Sequence, residues 1–330
     1  MFIRGVGNYW NLFRSKRMIY LLFKQVLIMF LLVGVGYICF RKNKITLEGS
    51  RNIANILIYL SLPCVIINSF LVTFSYEKLI GLLYSSLAAI AVLVISMVIS
   101  KLFFGKDAIL NFAAAFSNPG FFGIPLIVGT ISNEAVFYIA TFIAFLNYLQ
   151  WSYGVALLIN AESIHNEKGE WKKYIPSFKR LISAPFLIAV IIGLFFFISQ
   201  IHVPDLLLKS VQHIAGLNTP LAMFSIGVYL AQINPIRMLK NHKLYLLALV
   251  RLIIIPAACM LVLMLLPAEF TEMKMALLIA VACPTGSNVA VYAQLYESDY
   301  GYAVETVIIS TLLSVITIPV LVQLAMSLCF

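Results

Sequence analysis

Charge is scarce in this sequence. Asp, Glu, Lys and Arg make up 11% of its 330 residues against about 25% in soluble domains, and 62% are apolar against about 45–50%. That balance excludes a water-soluble globule and places the chain in a membrane. Acidic residues are the rarer sign, 13 against 23 basic ones, for a net charge of +10. Nucleic acid is not the expected partner, because the basic residues sit in short loops between apolar runs, where membrane orientation accounts for them. Histidine is limited to His165, His202, His213 and His242, with no H-E-x-x-H and no serine–histidine pair at helical spacing, so an enzyme is not expected. G-x-x-x-x-G-K-[ST] is missing as well, which excludes a nucleotide-driven pump with a phosphate loop. The five cysteines, Cys39, Cys64, Cys259, Cys283 and Cys329, have no C-x-x-C spacing. Neither a disulfide framework nor a metal or other cofactor is called for.

What the chain has is long apolar runs. At about 20 apolar residues per crossing, ten helices are expected near 19–40, 54–74, 79–103, 108–131, 134–160, 182–201, 212–232, 243–266, 273–296 and 302–328. The first run, Ile19 to Phe40, is too long for a secretory signal and lacks a small-residue cleavage site, so it reads as a retained span. Residues 1–17 carry Arg4, Arg14, Lys16 and Arg17 beside Tyr9 and Trp10 and read as an interfacial tail, with Met18 as a candidate translation start. The expected units are this tail, a first five-helix repeat at 18–160, a linker at 161–181 and a second repeat at 182–330. Five crossings per half insert the second half upside down. The fold expected is therefore all-α and membrane-integral, with ten transmembrane helices as two inverted repeats.

Lysine and arginine set the orientation. Arg41, Lys42, Lys44, Arg51, Lys101, Lys106, Arg237, Lys240, Lys243 and the linker basics share one set of loops, while the other set holds only Lys78, Lys209 and Lys274. By the positive-inside rule the first set is cytoplasmic, with both termini outside in the cell membrane. Glu305, at the start of the last span, is expected in the external headgroup region.

Two of the apolar runs are interrupted. Asn118-Pro119-Gly120-Phe121-Phe122-Gly123-Ile124-Pro125 breaks the run from Ala108 to Thr130, and Cys283-Pro284-Thr285-Gly286-Ser287-Asn288 breaks that from Met275 to Leu295. Proline lacks the N–H and collides with the carbonyl four residues back, so a helix must open at Pro119 and Pro284. Gly120 and Gly123 permit the altered backbone, and Pro125 suits the first turn of a restarted helix. The two prolines are 165 residues apart, half the chain. Asp107 then falls on Glu272, Ala115 on Ala280, Glu134 on Asp299 and Thr141 on Thr306 in the same register. Paired interrupted segments in matching halves point to a transporter binding site.

If the two spans cross at their breaks, half-helix N-termini offer N–H groups to an anion and the C-termini offer carbonyls to a cation. Asn118, Pro119, Gly120, Gly123, Pro125, Pro284, Thr285, Gly286, Ser287 and Asn288 form the expected substrate site. Arg251, seven residues into the run from Leu244, reads either as counter-ion to an anionic substrate or as a partner of freed backbone carbonyls. Asn147, Gln150, Asn68 and Asn218 are secondary candidates; bracing kinked helices is the other account of Asn68 and Asn218, which lie near Pro63 and Pro220.

The run 118–125, the later Pro284-Thr285-Gly286-Ser287-Asn288, the Arg251 to Pro256 spacing and Arg41-Lys42-Asn43-Lys44-Ile45-Thr46 resemble the auxin efflux carrier family. That family includes plant auxin exporters and bacterial permeases for malate and similar anions. The resemblance implies a bile-acid-symporter-like fold. Spans 1, 2, 6 and 7 would form a scaffold, and the others a transport domain that moves past it as an elevator. It also implies a homodimer. The short linker favours the bacterial type, and the family name fixes neither auxin nor any one acid.

The function expected is a permease for small organic anions such as mono- or dicarboxylates, with a proton or sodium as possible coupling ion. A sodium-coupled symporter of neutral or steroidal solutes is the alternative on the same fold. A membrane sensor that does not transport is a further one, weakened by the lack of a soluble signalling domain within these residues.

Overall fold

A computed structural model describes residues 2–163 and 184–328, with side chains described for 20–159 and 184–327. Beyond residue 163 the expected linker lies outside the described residues. Helices account for the architecture, and no strand occurs among the described residues. Seven helices there are long and apolar enough to cross a membrane. The other three expected spans are shorter pieces, for physical reasons that differ.

In chain order the helices are α1 (Phe2–Arg41), α2 (Leu47–Phe70), α3 (Tyr76–Phe104), α4 (Ala108–Ala115), α5 (Pro119–Thr130) and α6 (Ala135–Ile159). They continue with α7 (Pro185–Ser199), α8 (Asp205–Gln232), α9 (Pro235–Lys240), α10 (His242–Met264), α11 (Thr271–Ala282), α12 (Asn288–Leu295) and α13 (Tyr300–Leu328). The expected fourth and ninth spans are thus each two half-helices, and the sixth is a 15-residue helix opened by Pro185. The tail 1–17 is not a separate segment: its backbone continues the helix of the first span without interruption. The second helix begins seven residues earlier than its apolar run, because Thr46 caps it by accepting a hydrogen bond from the Gly49 amide at 3.0 Å.

Among the described residues four helices contain a π-turn, and three of these have one cause. Leu57–Ser61, Pro119–Gly123 and Val250–Ile254 each end two residues before a proline, Pro63, Pro125 and Pro256. The proline ring pushes on the carbonyl four residues back, and widening the turn to an i to i+5 bond relieves it without ending the helix. The fourth, Gln150–Gly154, has no proline and instead brings Gly154 against the ring of Phe112, which a Cβ would strike.

α1 packs along α8 and α7 along α2. The first pair approaches through glycine: a Cβ on Gly227 would strike the Val33 carbonyl and the Tyr37 amide. Small residues allow such close backbone contact where lipid leaves packing as the main attraction between helices. Glu305 does not lie opposite the basic loops. Its carboxylate is 3.9 Å from Arg237 and Asp107 is 3.7 Å from Lys243, so α13 begins on the face those loops occupy.

Candidate functional site

The two interruptions meet. Between α4 and α5 the chain is extended at residues 116–118, and between α11 and α12 at residues 283–286, so that Ser117 and Thr285 pair as an antiparallel bridge. The Gly286 amide donates to the Phe116 carbonyl at 2.9 Å, and the Thr285 hydroxyl donates to the Ala113 carbonyl at 3.0 Å. The Thr285 amide in turn donates to the Ser310 hydroxyl of α13 at 3.1 Å. Backbone groups that proline releases inside an apolar bundle are thereby satisfied by the other break, as burial away from water demands.

Helical winding resumes at Pro119 as the π-turn, and Pro125 sits in the first turn of the regular α-helix that follows, Ile124–Thr130. In the second break the extended stretch is longer, and winding resumes at Asn288 rather than at Pro284. Neither restart has a side-chain cap. Gly123 lets the breaks close on each other, since a Cβ there would lie 3.0 Å from Cys283 Sγ.

Beside the crossing lies a cavity of about 420 Å³. Three helices present one face to it with a spacing of three and four residues: Asn55, Ile58, Tyr59 and Leu62 from α2; Ile143, Leu146, Asn147, Gln150 and Trp151 from α6; Asn288, Val291, Tyr292 and Leu295 from α12. Ser117, Asn118, Pro119, Gly120, Phe121 and Gly286 close one wall, and residues 184–186 at the start of α7 another. Among the described residues, no acidic or basic side chain lines it.

Two lining amides are of particular interest. Gln150 is fully buried, and its Oε1 accepts from Asn288 Nδ2 at 2.7 Å, which leaves Nε2 as a donor. That Nε2 and the Nδ2 of Asn118, itself 6% exposed, have no protein partner among the described residues. Two residues that line one cavity therefore each carry a buried N–H donor with nothing among the described residues to accept from it. An unsatisfied buried donor costs about 1–3 kcal/mol, so an arrangement with two suits a ligand that accepts.

Of the expected site residues, Asn118, Pro119, Gly120, Gly286, Asn288, Asn147 and Gln150 line the cavity. Gly123, Pro125, Pro284, Thr285 and Ser287 belong to the two breaks but do not line it. Arg251 is also outside the lining, with its guanidinium on backbone carbonyls of Ala114, Ala115 and Val281. Asn218 reaches the break from α8, donating to the Gly120 carbonyl at 3.0 Å, whereas Asn68 stands near the far end of α2 and does not line the cavity.

A family model for membrane transport proteins, the transport domain of the auxin efflux carriers, matches residues 21–322. The chain belongs to the auxin efflux carrier family. No curated relative matches it. As a family member it is a multi-pass membrane transporter, and its crossing broken helices and cavity are the natural place to look for its substrate.

Sequence reasoning passed over Asn55, Tyr59, Trp151 and Tyr292. The signal was available, because Trp151 lies four residues after Asn147 and Tyr292 four after Asn288, on the helix faces those two candidates already defined.

Proposed function

We propose that the chain is a secondary carrier of small organic anions that holds a single carboxylate at the helix crossing. The observation that carries this reading is the pair of donors without a partner among the described residues, Asn118 Nδ2 and Gln150 Nε2, on residues that line a cavity with no charged side chain among those described. The uncapped starts of α5 and α12 add the positive ends of two helix dipoles, each about half a charge. Together they suit one negative charge delocalised over two oxygens. A second carboxylate would meet a lining that is largely apolar, with Ile58, Leu62, Ile143, Leu146, Val291 and Leu295, and that offers no cationic side chain among the described residues. Monocarboxylates with an apolar or aromatic body are accordingly favoured over dicarboxylates.

The test is flux into proteoliposomes of labelled phenylacetate, phenylacetamide and succinate. Phenylacetate should enter saturably and at least about tenfold faster than the other two, the scale on which a site rejects a missing charge partner. Equal rates for acid and amide would sink the carboxylate reading, and equal rates for succinate its restriction to one carboxylate.

The mechanism proposed is alternating access by an elevator on two inverted five-helix repeats. The long α1, α2 and α8 with α7 form the scaffold, and the crossing breaks with α3, α6, α10 and α13 form the moving part. The cavity supports this division, since α2 and α7 supply one side and α6, α12 and the crossing the other. An aromatic cluster bridges the same two groups near the opposite face. Phe137 of α6 stacks edge-on to Phe70 of α2 at 5.0 Å and meets Phe197 of α7 at 4.9 Å. Movement of α6 past α2 and α7 would open that cluster and close the cavity.

The basic loops are taken as cytoplasmic, so the cavity, which reaches Asn55 and residues 184–186 near that face, is accessible from inside. Single cysteines placed at Lys240 and at His202 check the orientation in intact cells. A membrane-impermeant maleimide should label the His202 position and spare the Lys240 position, and the reverse pattern would invert the orientation.

A further inference from the structure

One buried cation takes no part in lining the cavity. Arg251 is 1% exposed, the second residue of the α10 π-turn, within an apolar helix where arginine is expensive and needs partners. Its guanidinium spans both breaks: Nη1 donates to Ala114 O at 2.8 Å and to Ala115 O at 3.3 Å, and Nη2 donates to Val281 O. Ala114 and Ala115 end α4, and Val281 is the penultimate residue of α11. The ion pairs among the described residues, Lys78 with Glu134, Arg237 with Glu305 and Lys243 with Asp107, do not include it. Its countercharge is therefore the two helix C-termini, each about half a negative charge, which sum to about one.

In carriers built on broken repeats, half-helix C-termini and unwound carbonyls are where a coupling cation is held. We propose that Arg251 is a resident cation in that position, a positioning residue that replaces a coupling sodium ion, so that the two breaks hold together and the carrier works without sodium. This rests on reading the crossing as the moving core of a carrier. The fork geometry supports it, because one planar group satisfies three acceptors on two helices that have no covalent link nearby.

Thermal unfolding of the purified full chain in detergent tests this without any transported anion, so its outcome is independent of the carboxylate reading. The wild-type midpoint is expected to be the same in sodium chloride and in choline chloride of equal ionic strength. Arg251→Ala should unfold at a lower temperature and recover by at least about 3 °C in about 20 mM guanidinium chloride, a ligand binding only the folded state. The same concentration of urea, neutral and of similar shape, should give no recovery, and guanidinium should not raise the wild type. A sodium-specific rise in the wild type overturns the proposal, as does a folded Arg251→Ala that guanidinium does not stabilise. Where Arg251→Ala gives no folded protein, Arg251→Lys replaces it. Its ammonium keeps the position charged, so its midpoint should be indifferent to sodium, and a sodium-dependent rise overturns the proposal equally.

Discussion

Gln150→Leu is expected to lower the transport efficiency for a monocarboxylate about 10–100-fold while the protein inserts and folds to wild-type levels. A hydrogen bond to a charged group is worth about 1.5–3 kcal/mol, and each 1.4 kcal/mol is tenfold. Gln150 is fully buried and its side-chain oxygen is already engaged by Asn288, so the orientation of its amide is set before any ligand arrives. Leucine fills a similar volume and removes the Nε2 donor together with the oxygen to which Asn288 donates. Asn288→Ala should cost less, because Asn288 acts on the ligand through Gln150. The double variant should then be no worse than Gln150→Leu alone, the signature of two residues in one network. Flux in proteoliposomes, normalised to reconstituted protein, gives all three values. Wild-type flux in Gln150→Leu would remove it from the site, and full additivity would show that Asn288 holds the ligand separately.

The parts of this site that were legible in the sequence are those set by local chemistry. Proline at 119 and 284 must open a helix wherever it stands, and the extended stretches lie at both. The matching spacing of 165 residues indicated that the two openings belong together. Packing decides where the chain winds again after a break, which is why a helix resumes at Pro119 in one and four residues after Pro284 in the other. Arg251 was legible as an unusual charge but not in its role. Its acceptors are 137, 136 and 30 residues away along the chain, and no local pattern distinguishes a carbonyl partner from a substrate. Gln150 stood only among secondary candidates for a related reason. The absence of an acceptor for its amide is a property of the assembled cavity, not of the helix that carries it.

That dependence on assembly makes Gly286 the position where a small change should have the largest effect. Gly286→Ala is expected to lower flux by at least about 100-fold, the loss that a 1 Å misplacement of a binding group can produce. A Cβ there would lie 2.9 Å from Ser117 O, 3.1 Å from Gln150 Nε2 and 3.4 Å from Phe116 O. Two of those three atoms are backbone of the opposite break and cannot rotate aside, so the added methyl must push Ser117 and Thr285 apart or displace the Gln150 amide. Either movement misplaces a donor while leaving the long helices and their packing unchanged. Gly216→Ala is the matched control, because a Cβ there meets nothing within 4 Å. Both variants should elute as the wild type does in detergent, with Gly216→Ala keeping its flux. If Gly286→Ala transports normally, the bridge between the breaks tolerates displacement, and the rigid crossing on which the carrier reading depends is wrong.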